Sequence, residues 1–270
     1  MIWYAKDKEK VKYNQLYKIR EFGKDGSSQY NFLESPDGLY FRKMTESEYK
    51  TGRVEEGWQI CCHDNLTSQT AGSTTVFPVE AYGRTVKPGK GGWKTNAQGM
   101  DRLKKANRIL FIGNTLRYTR RFFDFPAFPI NNIWTEFRVS GFSEQKVFLV
   151  QTNPGIISRC ILMTTDPGDL VVDPTCGSGT TATVAEQWGR RWITMDTSRV
   201  ALALARSRIM GARYPYYVLA DSHEGLKKEA ELSGKPPGER STYNDVKGGF
   251  VYKSVSHVTL KSIANNSEIN

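Results

Sequence analysis

The run Leu170-Val-Val-Asp-Pro-Thr-Cys-Gly-Ser-Gly-Thr-Thr-Ala182 constrains this chain more than any other stretch. Its apolar start, Leu170 to Val172, predicts a buried parallel strand. Asp173 and Pro174 end that strand, and Thr175 to Gly179 form a loop of small residues. A helix is expected from Thr180 to Trp188. Glycines in such a loop let the backbone approach a ligand where a Cβ would block it. The start of the helix turns N–H groups, with their partial positive charge, toward the same place.

The class of ligand can be narrowed from what surrounds the loop. A P-loop needs a lysine after its last glycine, and none follows Gly179. The dinucleotide fingerprint needs a third glycine where Ala182 stands, so only its relaxed form is met. Arg191-Trp-Ile-Thr-Met-Asp196 predicts a second strand closing on an acid, 196 − 173 = 23 positions after Asp173. An acid at that distance suits the paired hydroxyls of a ribose. An adenosine-containing cofactor is therefore expected.

Asp173-Pro-Thr-Cys-Gly-Ser-Gly-Thr-Thr181 resembles the cofactor loop of DNA amino-methyltransferases, which use S-adenosylmethionine to methylate adenine N6 or cytosine N4. Val150-Gln-Thr-Asn-Pro154 with Ile156 to Met163 resembles the helix before this loop in the beta order of those enzymes, of type III modification kind. Asp166-Pro-Gly-Asp169 resembles the usual lead-in, and Arg190 to Asp196 followed by Thr197 to Met210 resembles the next strand and helix. The close likeness covers residues 147–221. It implies an α/β, Rossmann-like methyltransferase fold, incomplete, with an inserted mixed α+β target-recognition region. The division it implies is 1–146 for the end of a catalytic strand plus target recognition, 147–225 for the cofactor, and 226–270 for a linker and incomplete extension.

The resemblance also implies roles. Asp173, Pro174, Thr175, Cys176, Gly177, Ser178 and Gly179 would surround S-adenosyl-L-methionine. Asp196, followed by Thr197 and Ser198, would accept from the ribose hydroxyls. Thr180, Thr181, Thr152 and Asn153 would lie near the methionine carboxylate and amine, although the family often has lysine where Asn153 stands. Asp221, closing a strand expected over Tyr216 to Ala220, would approach the adenine. Cys176 is expected as a small loop residue and His223 as a surface one, because no motif demands a thiolate or an imidazole base there.

Charge divides the chain unevenly. Residues 1–150 hold 24 basic and 16 acidic residues, net +8; residues 151–270 hold 14 and 12, net +2. The basic excess lies in the half without the cofactor loop, which suits nucleic acid on the first half. Gln98 to Asn107 predicts a helix, and Arg108–Ile112 and Thr115–Arg121 predict strands around a Gly113-Asn114 turn. Arg102, Lys104, Lys105, Arg108, Arg117, Arg120 and Arg121 crowd into this stretch, with Tyr118, Phe122 and Phe123 between them. Arginines hold phosphates or guanine edges, and aromatic rings stack on bases. The alternative is a solvated basic face. Leu116-Arg-Tyr118 and Asn132-Ile-Trp-Thr135 resemble the end of the family's recognition region.

No apolar run approaches a membrane span, and Met1-Ile-Trp-Tyr-Ala-Lys6 has no signal-peptide pattern. Four cysteines, two of them adjacent at 61 and 62, support neither a disulfide framework nor a zinc spacing. An intracellular, cytoplasmic protein is the simplest expectation.

One part is missing. The amine attacked in this chemistry is a poor nucleophile, because its lone pair is delocalised into the ring. The family holds it with an Asp/Asn/Ser-Pro-Pro-aromatic motif. Pro236-Pro237 sits between Lys235 and Gly238, and neither Asp124-Phe-Pro-Ala-Phe128 nor Arg213-Tyr-Pro-Tyr216 has paired prolines. Met1 to Ala5 resembles the family's last strand before target recognition, so part of a longer or split methyltransferase is expected. Its expected partners are double-stranded DNA, a separate chain carrying the motif, and a restriction subunit. A non-catalytic DNA- or cofactor-binding module stays open beside the enzyme.

Overall fold

The hairpin expected at 108–121 forms, and it anchors a five-stranded sheet. The computed structural model describes residues 2–137 and 152–269. The chain divides into two compact units, one of residues 18–128 and 255–270, the other of 1–17 and 129–254.

In the first unit the strands are β1 (Phe32–Glu34), β2 (Phe41–Lys43), β3 (Gln59–Asn65), β4 (Ile109–Ile112) and β5 (Thr115–Arg121). They lie in the order β2-β1-β3-β5-β4, antiparallel at every junction. Ile112 pairs with Thr115 across the turn, where Gly113 takes φ +58, a conformation that favours glycine. Helix α1 (Ala97–Lys105) starts at Asn96, whose side chain accepts from the Gly99 N–H at 2.8 Å. It buries Met100 and Leu103 against Leu66, Trp93, Ile109 and Leu116. Each such side chain contributes about 1.5–3 kcal/mol by leaving water.

Residues 249–259 form no strand and make a single bridge, Leu219 to Phe250. Beyond it the Val258 N–H donates to the Asp124 carbonyl, and Leu260–Ala264 forms a short helix. Gly99 is the notch that receives this helix: a Cβ there would meet Ala264 Cβ at 2.9 Å.

In the second unit β6 (Leu170–Asp173) and β7 (Arg191–Thr194) pair in parallel, Val172 beside Ile193. Helices α2 (Pro154–Thr164) and α3 (Thr180–Gln187) cover one face of the pair, where Ile161, Val184 and Ala185 pack with Val171 and Trp192. Among the described residues nothing covers the other face. Leu170, Val172, Ile193 and Met195 are 47%, 52%, 49% and 48% exposed. The strand expected to be buried is thus only partly buried, at Val171 and Asp173. α4 (Arg199–Gly211) and α5 (His223–Ser233) follow.

Met1 to Ala5 was expected as a strand; residues 2–5 form none and are exposed. The segment behind them is fixed instead. Lys12 pairs with Asp166 at 2.9 Å and Asp169 at 2.6 Å, and the Asn14 N–H donates to the Met163 carbonyl at 2.8 Å. The expected strand over Tyr216 to Ala220 is reduced to the one bridge at Leu219. Val150 and Gln151 lie outside the described residues.

Candidate functional site

Where β6 ends, the chain turns on a chain of side-chain and backbone contacts. The Asp173 Oδ1 accepts from the Thr175 N–H at 3.1 Å, which starts the turn. The Cys176 N–H then donates to the Met195 carbonyl at 2.9 Å, sewing the loop to the continuation of β7. Pro174 and Thr175 are exposed, while Cys176 is buried and burial pushes its thiol pKa up. Gly177 and Gly179 have φ +52 and +76. At Gly179 a Cβ would lie 2.8 Å from Ala205 Cβ, so glycine is what lets the loop press against α4.

Asp196 is the centre of this arrangement. Its Oδ2 accepts from the Gly177 N–H at 2.9 Å and its Oδ1 from the Ser198 N–H at 2.8 Å. One carboxylate therefore ties the small-residue loop to the start of α4, which Ser198 caps. A carboxylate has about four lone-pair sites, so two accepted bonds leave capacity for ligand hydroxyls. The amides of Ser198 and Gly177 hold its pKa below the ordinary carboxylate value. A depressed carboxylate stabilises the fold above its unfolded pKa and loses that contribution as pH falls through the folded one. The melting-temperature gap between the parent chain and Asp196→Asn should be full at neutral pH. It should shrink only below about pH 4; a pH-independent gap would refute the brace.

α3 begins at Gly179 with no side-chain cap. Its first amides are a ready site for an anion. Other expected contacts are otherwise engaged. Ser178 and Thr180 are buried, and the Arg208 Nη1 donates to their hydroxyl oxygens at 3.3 and 3.0 Å. The Thr180 hydroxyl therefore serves α4, unlike the expected contact to a methionine carboxylate. Thr181 stays partly accessible, and Thr197 and Thr152 are exposed. The Asn153 Oδ1 caps α2 by accepting from the Gly155 N–H at 2.8 Å. The Asp221 Oδ2 accepts from the Tyr243 and Asp245 N–H groups at 3.2 and 3.1 Å, so this carboxylate holds a loop. Its expected approach to an adenine competes with that duty.

In the first unit the basic cluster separates into two populations. The Arg108 guanidinium makes a bidentate pair with Asp124, at 2.6 and 2.9 Å, and both side chains are buried. Arg121 pairs in the same way with Glu34, at 2.7 and 2.8 Å. Tyr118 is buried in the core, where desolvation pushes its pKa up to about 12. Of these three residues expected to reach DNA, Arg108 and Arg121 are committed to carboxylates and Tyr118 is buried. Arg120 pairs with Asp64 at 3.3 Å, and Arg102 donates to the Ala264 carbonyl at 3.1 Å. Lys104 and Lys105 stand near Asp101 on the surface of α1 at 3.4 and 3.2 Å, and Arg117 is opposite Asn65. Phe123, just after β5, is 74% exposed.

The Cys61-Cys62-His63 run lies in β3, with His63 between the Phe32 and Phe41 rings at 4.5 and 5.5 Å. Burial pushes its imidazole down to about 4, so it is neutral. Among the described residues no group of three or more His, Cys, Asp or Glu is placed to hold a metal.

A family model described as DNA methylase, N6_N4_Mtase, matches residues 1–207. The type II methyltransferase M.EcaI of Enterobacter cloacae is 30% identical over 165 residues, 57% of this chain and 34% of that protein. The type II methyltransferase M2.DpnII of Streptococcus pneumoniae is 44% identical over 54 residues, 20% of each chain. The crystal structure of M1.HpyAVI aligns at 30% identity over 22% of this chain and 30% of that one, with a TM-score of 0.22. The chain thus spans 20–34% of the length of these relatives.

Proposed function

The chain belongs to the N6/N4 DNA methylase family, and from that premise we propose that it supplies the S-adenosylmethionine-binding and DNA-recognising parts of a DNA amino-methyltransferase. The observation that carries this reading is the Asp196 carboxylate, bracketed by the Gly177 and Ser198 amides beside an uncapped helix start. A nucleoside with a trailing carboxylate matches those features: an acceptor for two hydroxyls, a glycine loop that backbone can line, and N–H groups for an anion. When bound, the cofactor supplies the methyl group. Asp173, Pro174, Thr175, Cys176, Gly177, Ser178 and Gly179 would line it, Asp196 would orient its ribose, and the first amides of α3 at Thr180 and Thr181 would hold its carboxylate.

DNA contact is proposed for Lys104, Lys105 and Arg117 together with the Phe123 ring. Arg108 and Arg121 are left out of that surface. The absence of the Pro-Pro-aromatic motif from the sequence supports a second component that orients the target amine.

Isothermal calorimetry with S-adenosylmethionine tests the cofactor half. Asp196→Ala should weaken binding at least tenfold, about 1.4 kcal/mol. Asp196→Asn keeps one acceptor oxygen and should fall between. Equal affinity in all three proteins would remove Asp196 from the site.

A further inference from the structure

The first unit holds a cavity to which two of the residues expected to contact DNA, Tyr118 and Arg120, contribute. It is about 420 Å³ in volume, and Arg20, Arg120, Lys94 and Lys261 face it against a single acid, Asp64. Arg20 and Arg120 lie against the buried Tyr30 ring, their guanidinium carbons 5.0 and 5.5 Å from its centroid. Arg20 is itself buried, held by Nη1 bonds to the Tyr30 hydroxyl and the Phe125 carbonyl, both 2.8 Å.

Three polar atoms of cavity-lining residues are buried without a hydrogen-bond partner: Arg20 Nε, Arg120 Nε and the Tyr118 hydroxyl. All three can donate, since arginine has no acceptor and burial keeps the Tyr118 hydroxyl protonated. Buried donors left unmade are costly, and all three belong to residues that line one electropositive space. A compact, acceptor-only anion would relieve them. The rim adds a flat surface, the His257 ring lying 4.1 Å from the Phe125 ring at 31°. Charge-assisted guanidinium bonds suit a phosphoryl group, and an aromatic rim suits a base.

We propose that this cavity binds a nucleotide phosphate, with the attached nucleoside against the Phe125–His257 pair. The DNA-recognising reading bears only on the source of that phosphate, a DNA strand or a free nucleotide.

The test uses the full chain with two probes, a fluorescent mixed-sequence duplex and AMP. Tyr118→Phe removes one unpartnered hydroxyl and keeps the ring. It should bind the occupying probe roughly fivefold more weakly while melting no lower than the parent. Lys94→Ala with Lys261→Ala changes two exposed residues and should weaken duplex binding about tenfold. It should also lower the salt slope by about one. AMP binding that depends on Tyr118, without duplex binding, keeps the cavity and overturns the DNA reading. Duplex binding that neither variant changes keeps the DNA reading and overturns the cavity. A lower melting temperature for Tyr118→Phe, or binding of neither probe, overturns the cavity as well.

Discussion

Asp124→Ala will cost the protein about 3–5 kcal/mol of stability, the largest single loss expected at any charged residue here. The carboxylate accepts both Arg108 Nη bonds and a third from the Arg121 N–H at 2.8 Å. Arg108 and Asp124 side chains are 10% and 5% exposed, so the guanidinium left behind would keep its charge with neither water nor partner. Arg108 precedes β4 and Asp124 follows β5, so the pair closes the hairpin at its open end. Urea unfolding followed by circular dichroism measures the loss. Replacing both residues with apolar side chains of similar volume should recover most of it, because the cost lies in the unpaired charge. A single-variant loss below about 1 kcal/mol would mean that the pair behaves as a solvated one.

The purified chain will transfer no methyl groups to mixed-sequence DNA above an enzyme-free background. On the proposed reading the loop holds the methyl donor, but the acceptor amine also has to be held in line with the departing methyl group. Fixing two reactants in attack geometry accounts for about 7–11 kcal/mol of a barrier. The residue pattern that does this in the family is absent from the sequence. Of the partial matches, Asp124 is committed to Arg108, whereas the Tyr214 hydroxyl is buried without a partner. Tritiated methyl transfer is the measurement. Adding a chain with Asp-Pro-Pro-Tyr should restore turnover. Robust turnover by the purified chain alone would reject the need for a second component and direct attention to Tyr214.

What could be read beforehand was local. The strand–loop–helix at 170–187, the acid at 196 and the Gly113-Asn114 hairpin are each written in a short stretch, and each formed. Pairings between distant segments were not readable. β1 and β2 have three residues each and carry no period of their own; they exist because β3 supplies the ladder. A string of arginines reads as a basic patch, because nothing near Arg121 announces that Glu34, 87 positions away, will hold it. The same holds for Thr180, whose hydroxyl meets Arg208 only once α4 folds back on the loop. The Leu260–Ala264 helix is too short to predict, and its seat depends on the missing Cβ of Gly99.

The bare side of β6 and β7 bears on how this protein behaves in a tube. A parallel pair is ordinarily sandwiched between layers. Here four apolar side chains stand about half in water, and among the described residues neither outer strand edge is paired. Open edges beside an oily surface are templates for sticking. The +10 net charge opposes that attraction by mutual repulsion, and salt screens it. Solubility should therefore depend on ionic strength in a way unusual for a well-closed domain: clear at low salt, turbid as screening lets the uncovered faces meet. The buffer used for binding work is then part of the experiment, since high salt used to suppress non-specific DNA contacts will also favour association between chains.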